Sequence, residues 1–387
     1  MTIDETLAQQ GDADAQLKLG ICYDDGIGVT QNFQKAAYWY AKSAQQGNDN
    51  AKNNLGLCYL SGKGVEQDLE KAIYWFTEAA QQGNRVAQLL LGGCYANGAG
   101  VARDFEKASY WFAKSAQQGD ADAQNSLGLC YAKGAGVTQD FEKAIYWFAK
   151  AAQQGNAGAQ FELGMCYTAG EGTAQDFEKA AYWFTEAAQQ DNADAQSKLG
   201  LCYAKGEGTA QDFKKAAYWF AKAAQQDNAD AQNNLGIYYA NGNGVPADLE
   251  KAVYWFTKSA QQGSELAQFN IGLCYANGAG VAQDFQKAAY WFEKSAEQGN
   301  AFAQFNLGVC YDDGKGVARD LEKAIYWFTE AAQQGNADAQ RNLWSCYATG
   351  EGVEQDLEKA GYWFNQLAEQ DNDDAKDILK ALGLTND

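Results

Sequence analysis

Ala51-Lys52-Asn53-Asn54-Leu55-Gly56-Leu57-Cys58-Tyr59, followed beyond Gly62-Lys63-Gly64 by Asp68-Leu69-Glu70-Lys71-Ala72-Ile73-Tyr74-Trp75-Phe76, is the stretch from which the whole chain can be read. In the first segment Ala51, Leu55, Cys58 and Tyr59 recur at steps of four, three and one, which sets them on one stripe of a helix. In the second, which runs on to Gly83, the residues Leu69, Ala72, Ile73, Phe76 and Ala80 mark another amphipathic helix. The short turn built around Gly62-Lys63-Gly64 predicts that the two lie antiparallel as a pair.

Working outward, the same pattern returns every 36 residues without one insertion, shown by the column Ala15, Ala51, Ala87, Ala123, Ala159, Ala195, Ala231, Ala267, Ala303, Ala339 and Ala375. Residues 15–374 therefore divide into ten helix-turn-helix units. Residues 1–14 read as an N-terminal half-repeat cap, and 375–387 as a lone C-terminal capping helix. Asp12, Asn48, Asn84, Ser264 and their equivalents form a column of N-cap residues, each able to accept from an orphan helical N–H. The column just before it is glycine, as a helix end of positive φ prefers, except at Asp191, Asp227 and Asp371, whose turns are expected to be strained or looser.

One such pair cannot bury its own apolar faces. Neighbouring pairs must stack into a continuous core, so the expected fold is an all-α, α/α solenoid. Trp39, Trp75 and their eight equivalents recur once per unit and are expected to be the buried anchors. Trp344 stands where other units carry a close-packing glycine such as Gly56, which predicts altered packing in the tenth repeat.

The bulk numbers exclude several classes. With 46% hydrophobic and 13% aromatic residues the chain has ample material for a core and is not disordered. Thirty basic residues against fifty acidic give a net charge of −20, which repels nucleic acid and anionic headgroups. No apolar run is long enough for membrane insertion, and the opening Met1-Thr2-Ile3-Asp4 lacks a signal peptide's basic and apolar regions, so the chain as it stands reads as cytoplasmic. Nine cysteines fall on the repeat register, one per unit, with Tyr238 in the remaining slot. Equivalent helices are expected about 10 Å apart, beyond the roughly 7 Å that a disulfide spans, so these thiols read as core residues.

Catalysis finds little to work with, because the chain has no histidine and the common triads are excluded. The Gly-x-Gly turns lack the Gly-Lys-Ser/Thr and preceding strand of a phosphate loop. Asp24-Asp25-Gly26 and Asp312-Asp313-Gly314 lack the spaced ligands of a calcium loop. Single thiols on the repeat register cannot supply four ligands to one zinc. No cofactor and no metal site is expected.

The pattern Ala-x-x-x-Leu-Gly-x-x-Tyr-x-x-Gly-x-Gly-Val-x-x-Asp-x-x-Lys-Ala-x-x-Trp-Phe-x-x-Ala-Ala-x-x-Gly, complete from Ala51 to Gly83, closely resembles the Sel-1-like repeat family, relatives of the tetratricopeptide repeat with a longer inter-helix turn. The resemblance implies a right-handed superhelix whose first helices line a concave face, used by adaptor and scaffold proteins. Cysteine-rich secreted members carry two cysteines per repeat and a bridge between paired helices, and β-lactam binding is attributed to some of them. This chain carries one cysteine per repeat, which sets it apart from them.

Near-identical units are most informative where they disagree. The column Leu17, Asn53, Leu89, Asn125, Phe161, Ser197, Asn233, Phe269, Phe305, Arg341 varies most, with its neighbour Lys18, Asn54, Leu90, Ser126, Glu162, Lys198, Asn234, Asn270, Asn306, Asn342. A third column, mostly Asp, holds Val86, Gly158, Leu266 and Phe302. By analogy with tetratricopeptide repeats these positions face a groove. Asn54, Asn234, Asn270, Asn306 and Asn342 would there hold an extended peptide by its amides, beside Phe161 and Arg341. Leu266, Phe269, Phe302 and Phe305 would form an apolar anchor patch; the competing reading has these aromatics filling gaps between units. The leading expectation is a non-enzymatic scaffold for a protein or extended peptide. The alternatives are a structural or consensus-type scaffold without a dedicated ligand, and weak β-lactam binding or hydrolysis as in the secreted relatives.

Overall fold

The computed structural model describes residues 5–369. Asp371 and the closing helix expected at 375–387 lie outside the described residues. Among those described, all regular structure is helical, from Glu5–Gln10 to Leu357–Glu369. The chain divides into an N-terminal half, Met1–Asn192, and a C-terminal half, Ala193–Asp387, each with five helix pairs. Within each half a first helix packs on the second helix of its own repeat and on the second helix of the repeat before it, the α-solenoid arrangement.

Local signals set the helix boundaries. In the second repeat the Asn48 side chain accepts from the Ala51 N–H at 2.9 Å and opens the helix Asp49–Ser61. That helix ends at Gly62, with φ 71 and its N–H donating to the Cys58 carbonyl. The turn closes when the Asp68 N–H reaches the Tyr59 carbonyl at 3.0 Å, and the Asp68 side chain then caps the helix Leu69–Gln81 through the Lys71 N–H. Each such cap stabilises its helix by about 1 kcal/mol. Gly83, at φ 97, stops the second helix as its N–H meets the Ala80 carbonyl and that of Asn84 meets Ala79. Asp191 and Asp227 take φ of 61 and 60 in this column, so the strain expected of two of the three exceptions is present.

The core forms between repeats. Ala72, Phe76, Ala79 and Ala80 of one second helix close against Ala87, Leu91 and Cys94 of the next first helix, with Trp111 at the edge. Here the tryptophan expectation needs correction. The fully buried large side chain is the residue after it, at Tyr40, Phe76, Phe148, Phe184, Phe220, Phe292 and Phe328. Trp75 is half-buried, in an edge-to-face contact with Tyr74 at 5.0 Å. One residue is about 100° of helix rotation, which places Phe76 on the centre of the Ala72–Ala80 stripe and Trp75 on its flank. Burying each such ring contributes about 2–3 kcal/mol.

Two glycines fix how close the helices come. A Cβ on Gly56 would fall 2.6 Å from the Phe76 ring, so the ring seats directly on the first helix of its own repeat. Gly64, at φ 76, lies against the Phe33 carbonyl of the repeat before it, with no room for a side chain. This explains why the turn needs its second glycine: it is a contact between repeats. In the tenth repeat Trp344 replaces the first of these glycines and meets the Phe364 ring in a tilted contact at 5.1 Å, while Trp363 becomes buried, the altered packing that position predicted.

A polar thread accompanies the apolar one. Buried Gln88 donates to the Ala80 carbonyl at 3.0 Å and accepts from Gln118 at 2.8 Å, joining three helices through one side chain. Gln124, Gln160, Gln232, Gln268 and Gln304 do the same in their repeats. Lys52 takes this slot in the second repeat, and its buried ammonium is held by Glu78 at 3.3 Å and the Gln82 amide oxygen at 2.7 Å.

The two glycine roles separate in a stability measurement. Gly83→Ala meets open space and costs only its unfavourable φ, about 1–2 kcal/mol. Gly64→Ala adds overpacking to that and costs about 2–5 kcal/mol. Urea-unfolding midpoints of the two variants measure the difference, and equal losses would remove the inter-repeat role given to Gly64.

Candidate functional site

The variable columns lie on the first helices, but the most variable of them is turned inward, with Asn53, Ser197 and Asn233 buried. The structure sorts them into two kinds of position. Phe161, Phe269 and Phe305 are half-buried, each ring against the core phenylalanine of its own repeat: Phe184 at 6.0 Å, Phe292 at 6.0 Å and Phe328 at 5.9 Å. Leu266 and Phe302, one column over, are open, at 56% and 63% exposure. The Phe302 ring lies 6.1 Å from that of Phe269, so an aromatic pair spans repeats eight and nine. Phe269 thus touches both the core and the surface patch.

The asparagines are partly committed within the chain. Asn270 donates to the side-chain Oδ1 of Asn233 in the preceding repeat at 2.9 Å, and Asn306 donates to the Phe302 backbone carbonyl at 2.7 Å. Asn234 and Asn342 are half-buried on the same column. Arg341 is exposed and held by Asp338 at 3.0 Å. Asn54 and Phe161 belong to the N-terminal half, and Asn54 lines a cleft with Tyr40, Leu57 and Lys63. At the floor of that cleft the Tyr40 hydroxyl donates to Asp24 at 3.2 Å, and burial together with Asp24 pushes the phenol well above its usual range.

Sequence reasoning missed a second cleft in the N-terminal half, of about 690 Å³, between the first helices Arg85–Asn97 and Ala121–Lys133. Leu60, Leu89, Leu90 and Leu129 form its apolar walls and Gly93 opens its floor. The available signal was Gly93 itself, in a column that otherwise reads Ile21, Leu57, Leu129, Met165, Leu201, Ile237, Leu273, Val309 and Ser345.

The thiols are packing groups. All nine are free, and seven of them are buried. Burial is the main cause that pushes Cys58, Cys166, Cys202, Cys274 and Cys310 up to about 11. Tyr238 fills the same slot with its ring 5.2 Å from Phe220, which shows that the position takes bulk. Among the described residues no three His, Cys, Asp or Glu side chains converge as metal ligands would, and no helix is long and apolar enough to cross a membrane.

Ten segments of the chain match the Sel1 repeat, at residues 13–48, 50–84, 85–120, 121–156, 157–192, 193–228, 229–264, 266–300, 301–336 and 337–372. The chain belongs to the Sel1 repeat family. It is similar to a protective antigen present in uropathogenic Escherichia coli strains that displays an SLR fold, with 35% identity and a TM-score of 0.87 over 100% of this chain and 84% of that one. A Sel1 repeat protein from Oxalobacter formigenes is 36% identical with a TM-score of 0.60 over 79% of this chain and 88% of that one. No curated protein matches the chain. Sel1-repeat proteins are typically non-enzymatic and commonly serve as protein-interaction modules.

Thiol chemistry tests the packing assignment. At pH 8 a thiol reagent should modify Cys22 and Cys346 first, since they are only half-buried, and the rest slowly. A thiol whose folded value is raised holds its proton more tightly when folded. Its stabilising effect is therefore complete below the ordinary value near ~8.5 and is lost as pH rises through about 11. The urea-unfolding midpoint should fall over that window, and fast stoichiometric modification of all nine thiols at pH 8 would contradict the buried placement.

Proposed function

We propose that the chain is a non-catalytic scaffold that holds a protein or extended peptide against its first-helix face, with repeats eight and nine as the anchor. The observation that carries this reading is the exposed pair Leu266 and Phe302. Both sit in the first turn of a helix, in a column where other repeats place Asp14, Asp122, Asp194, Asp230 and Asp338. An acid there favours the helix dipole by about 0.3–1 kcal/mol. At Phe302 that benefit is forfeited, the helix of Leu266 keeps an acid in Glu265, and both side chains present apolar surface to water without filling the core.

The neighbouring Phe269 ring, braced on Phe292, gives the patch a rigid floor, the kind of preorganised aromatic that dominates interfaces. Asn234 and Asn342, in one column on the first helices one repeat before and two repeats after that of Phe269, offer amides to a peptide main chain. The net charge of −20 favours a partner whose apolar anchors are flanked by basic residues, and disfavours nucleic acid.

Affinity capture from the source cell with the unaltered chain and with the Leu266→Ser/Phe302→Ser double variant tests this. A reproducible partner should bind the unaltered chain, and the double variant should lose at least tenfold in affinity with helical circular dichroism unchanged. Undiminished capture by the variant would remove the site, and no partner at all would favour a spacer role.

A further inference from the structure

Gly93 has no structural reason to be glycine. It lies inside the helix Arg85–Asn97, away from either end, and a Cβ built on it meets nothing within 4 Å. Its neighbour Gly92 is different, since a Cβ there would strike the Phe112 ring at 2.7 Å. A helix-interior glycine weakens its helix relative to almost any other residue. What Gly93 supplies is the missing side chain, and that absence forms the floor of the 690 Å³ cleft.

Other departures from the repeat converge on the same place. Leu90 is apolar in a column otherwise made of Lys18, Asn54, Ser126, Glu162, Lys198, Asn234, Asn270, Asn306 and Asn342. Leu60 stands where six repeats have alanine and the others Asp24, Thr168 and Asp312. One residue is emptied, Leu60 is enlarged over the usual alanine and Leu90 is made apolar, and all three line one cleft. In a chain that repeats itself this closely, drift would scatter such changes among repeats.

The charge pattern says what the cleft takes. Lys133 is the one charged side chain of its lining, and among the described residues it is in no ion pair, in a chain where acids outnumber bases fifty to thirty. It ends the helix Ala121–Lys133 as Asn97 ends Arg85–Asn97, so an ammonium and an amide stand at the same end of the apolar walls. From Leu90 to Asn97 the helix rises about 10 Å, which suits an alkyl body of about eight to ten carbons.

We propose that this cleft binds an apolar carboxylate, its hydrocarbon body on Leu60, Leu90 and Leu129 over Gly93 and its carboxylate on Lys133 and Asn97. A fatty acid and the C-terminal residue of a polypeptide share this chemistry. The site lies in the N-terminal half and stands independently of the aromatic patch of repeats eight and nine.

Titration calorimetry of the full chain tests it with three probes: decanoate below its micellar concentration, decanol, and a short peptide ending in Leu-Leu as free acid and as amide. Decanoate or the free-acid peptide should bind one per chain. Gly93→Leu and Leu90→Asn, each giving the position the residue its own column carries elsewhere, should weaken that binding at least tenfold. Gly93→Leu should also raise the urea-unfolding midpoint, which separates a filled cleft from a damaged fold. Lys133→Gln should weaken the carboxylate probes three- to tenfold and leave decanol unchanged. Tighter binding of decanoate points to a free amphiphile, and tighter binding of the acid peptide to a chain terminus. Absence of binding by both carboxylates, binding that survives Gly93→Leu, or indifference to Lys133→Gln would overturn the proposal.

Discussion

The architecture depends on an aromatic ring pressed onto a bare turn of helix. Phe76 on Gly56 fixes the distance between paired helices, and the same ring carries the core that joins its second helix to the first helix of the next repeat. Because one side chain serves both the pair and the stack, neither forms well without the other. A single unit holds half of each core, so the stabilisation of the array resides largely in the contacts between neighbours. The variations on this contact follow the same physics. Tyr40 keeps the ring and finds Asp24 for its hydroxyl, while Trp344 removes the bare turn and meets Phe364 in a tilted contact.

Much of this was legible from residue order, because caps and turns act locally. Asn48, Asp68 and Gly62 do their work within a few residues of themselves, so each helix boundary could be read directly. The inter-repeat contact of Gly64 was not readable, since its partner, the Phe33 carbonyl, lies in another unit. The tryptophans misled for a related reason. Trp75 and Phe76 are adjacent, both large and apolar, and periodicity alone cannot say which sits on the centre of a stripe and which on its margin.

The candidate sites show a similar division. Leu266 and Phe302 announced themselves as apolar residues in an acidic column, and the surface bears them. Phe161, Phe269 and Phe305 had two readings, and their rings do rest on the second-helix phenylalanines, which is the gap-filling role, while Phe269 also meets Phe302. Gly93 was passed over because an absent side chain registers only as a gap in an otherwise apolar column. Its meaning appears only when the surrounding leucines are in place.

A solenoid separates the residues that make it from the residues that display it. Ala51, Leu55, Gly56 and Phe76 recur because each faces a neighbour that recurs, and a change in one would strain two repeats at once. The columns of Leu90 and Leu266 lie at the margin of that packing, Leu90 resting on the edge of the Phe76 and Leu91 core and Leu266 exposed, so a substitution there is felt more locally than one at its centre. A chain built this way can acquire a cleft in one repeat and an aromatic patch in another without renegotiating its core. That separability is why departures from the repeat carry information about ligands here: in a fold whose lining and packing residues were the same, an identical departure would have to be read first as a compensation for something else.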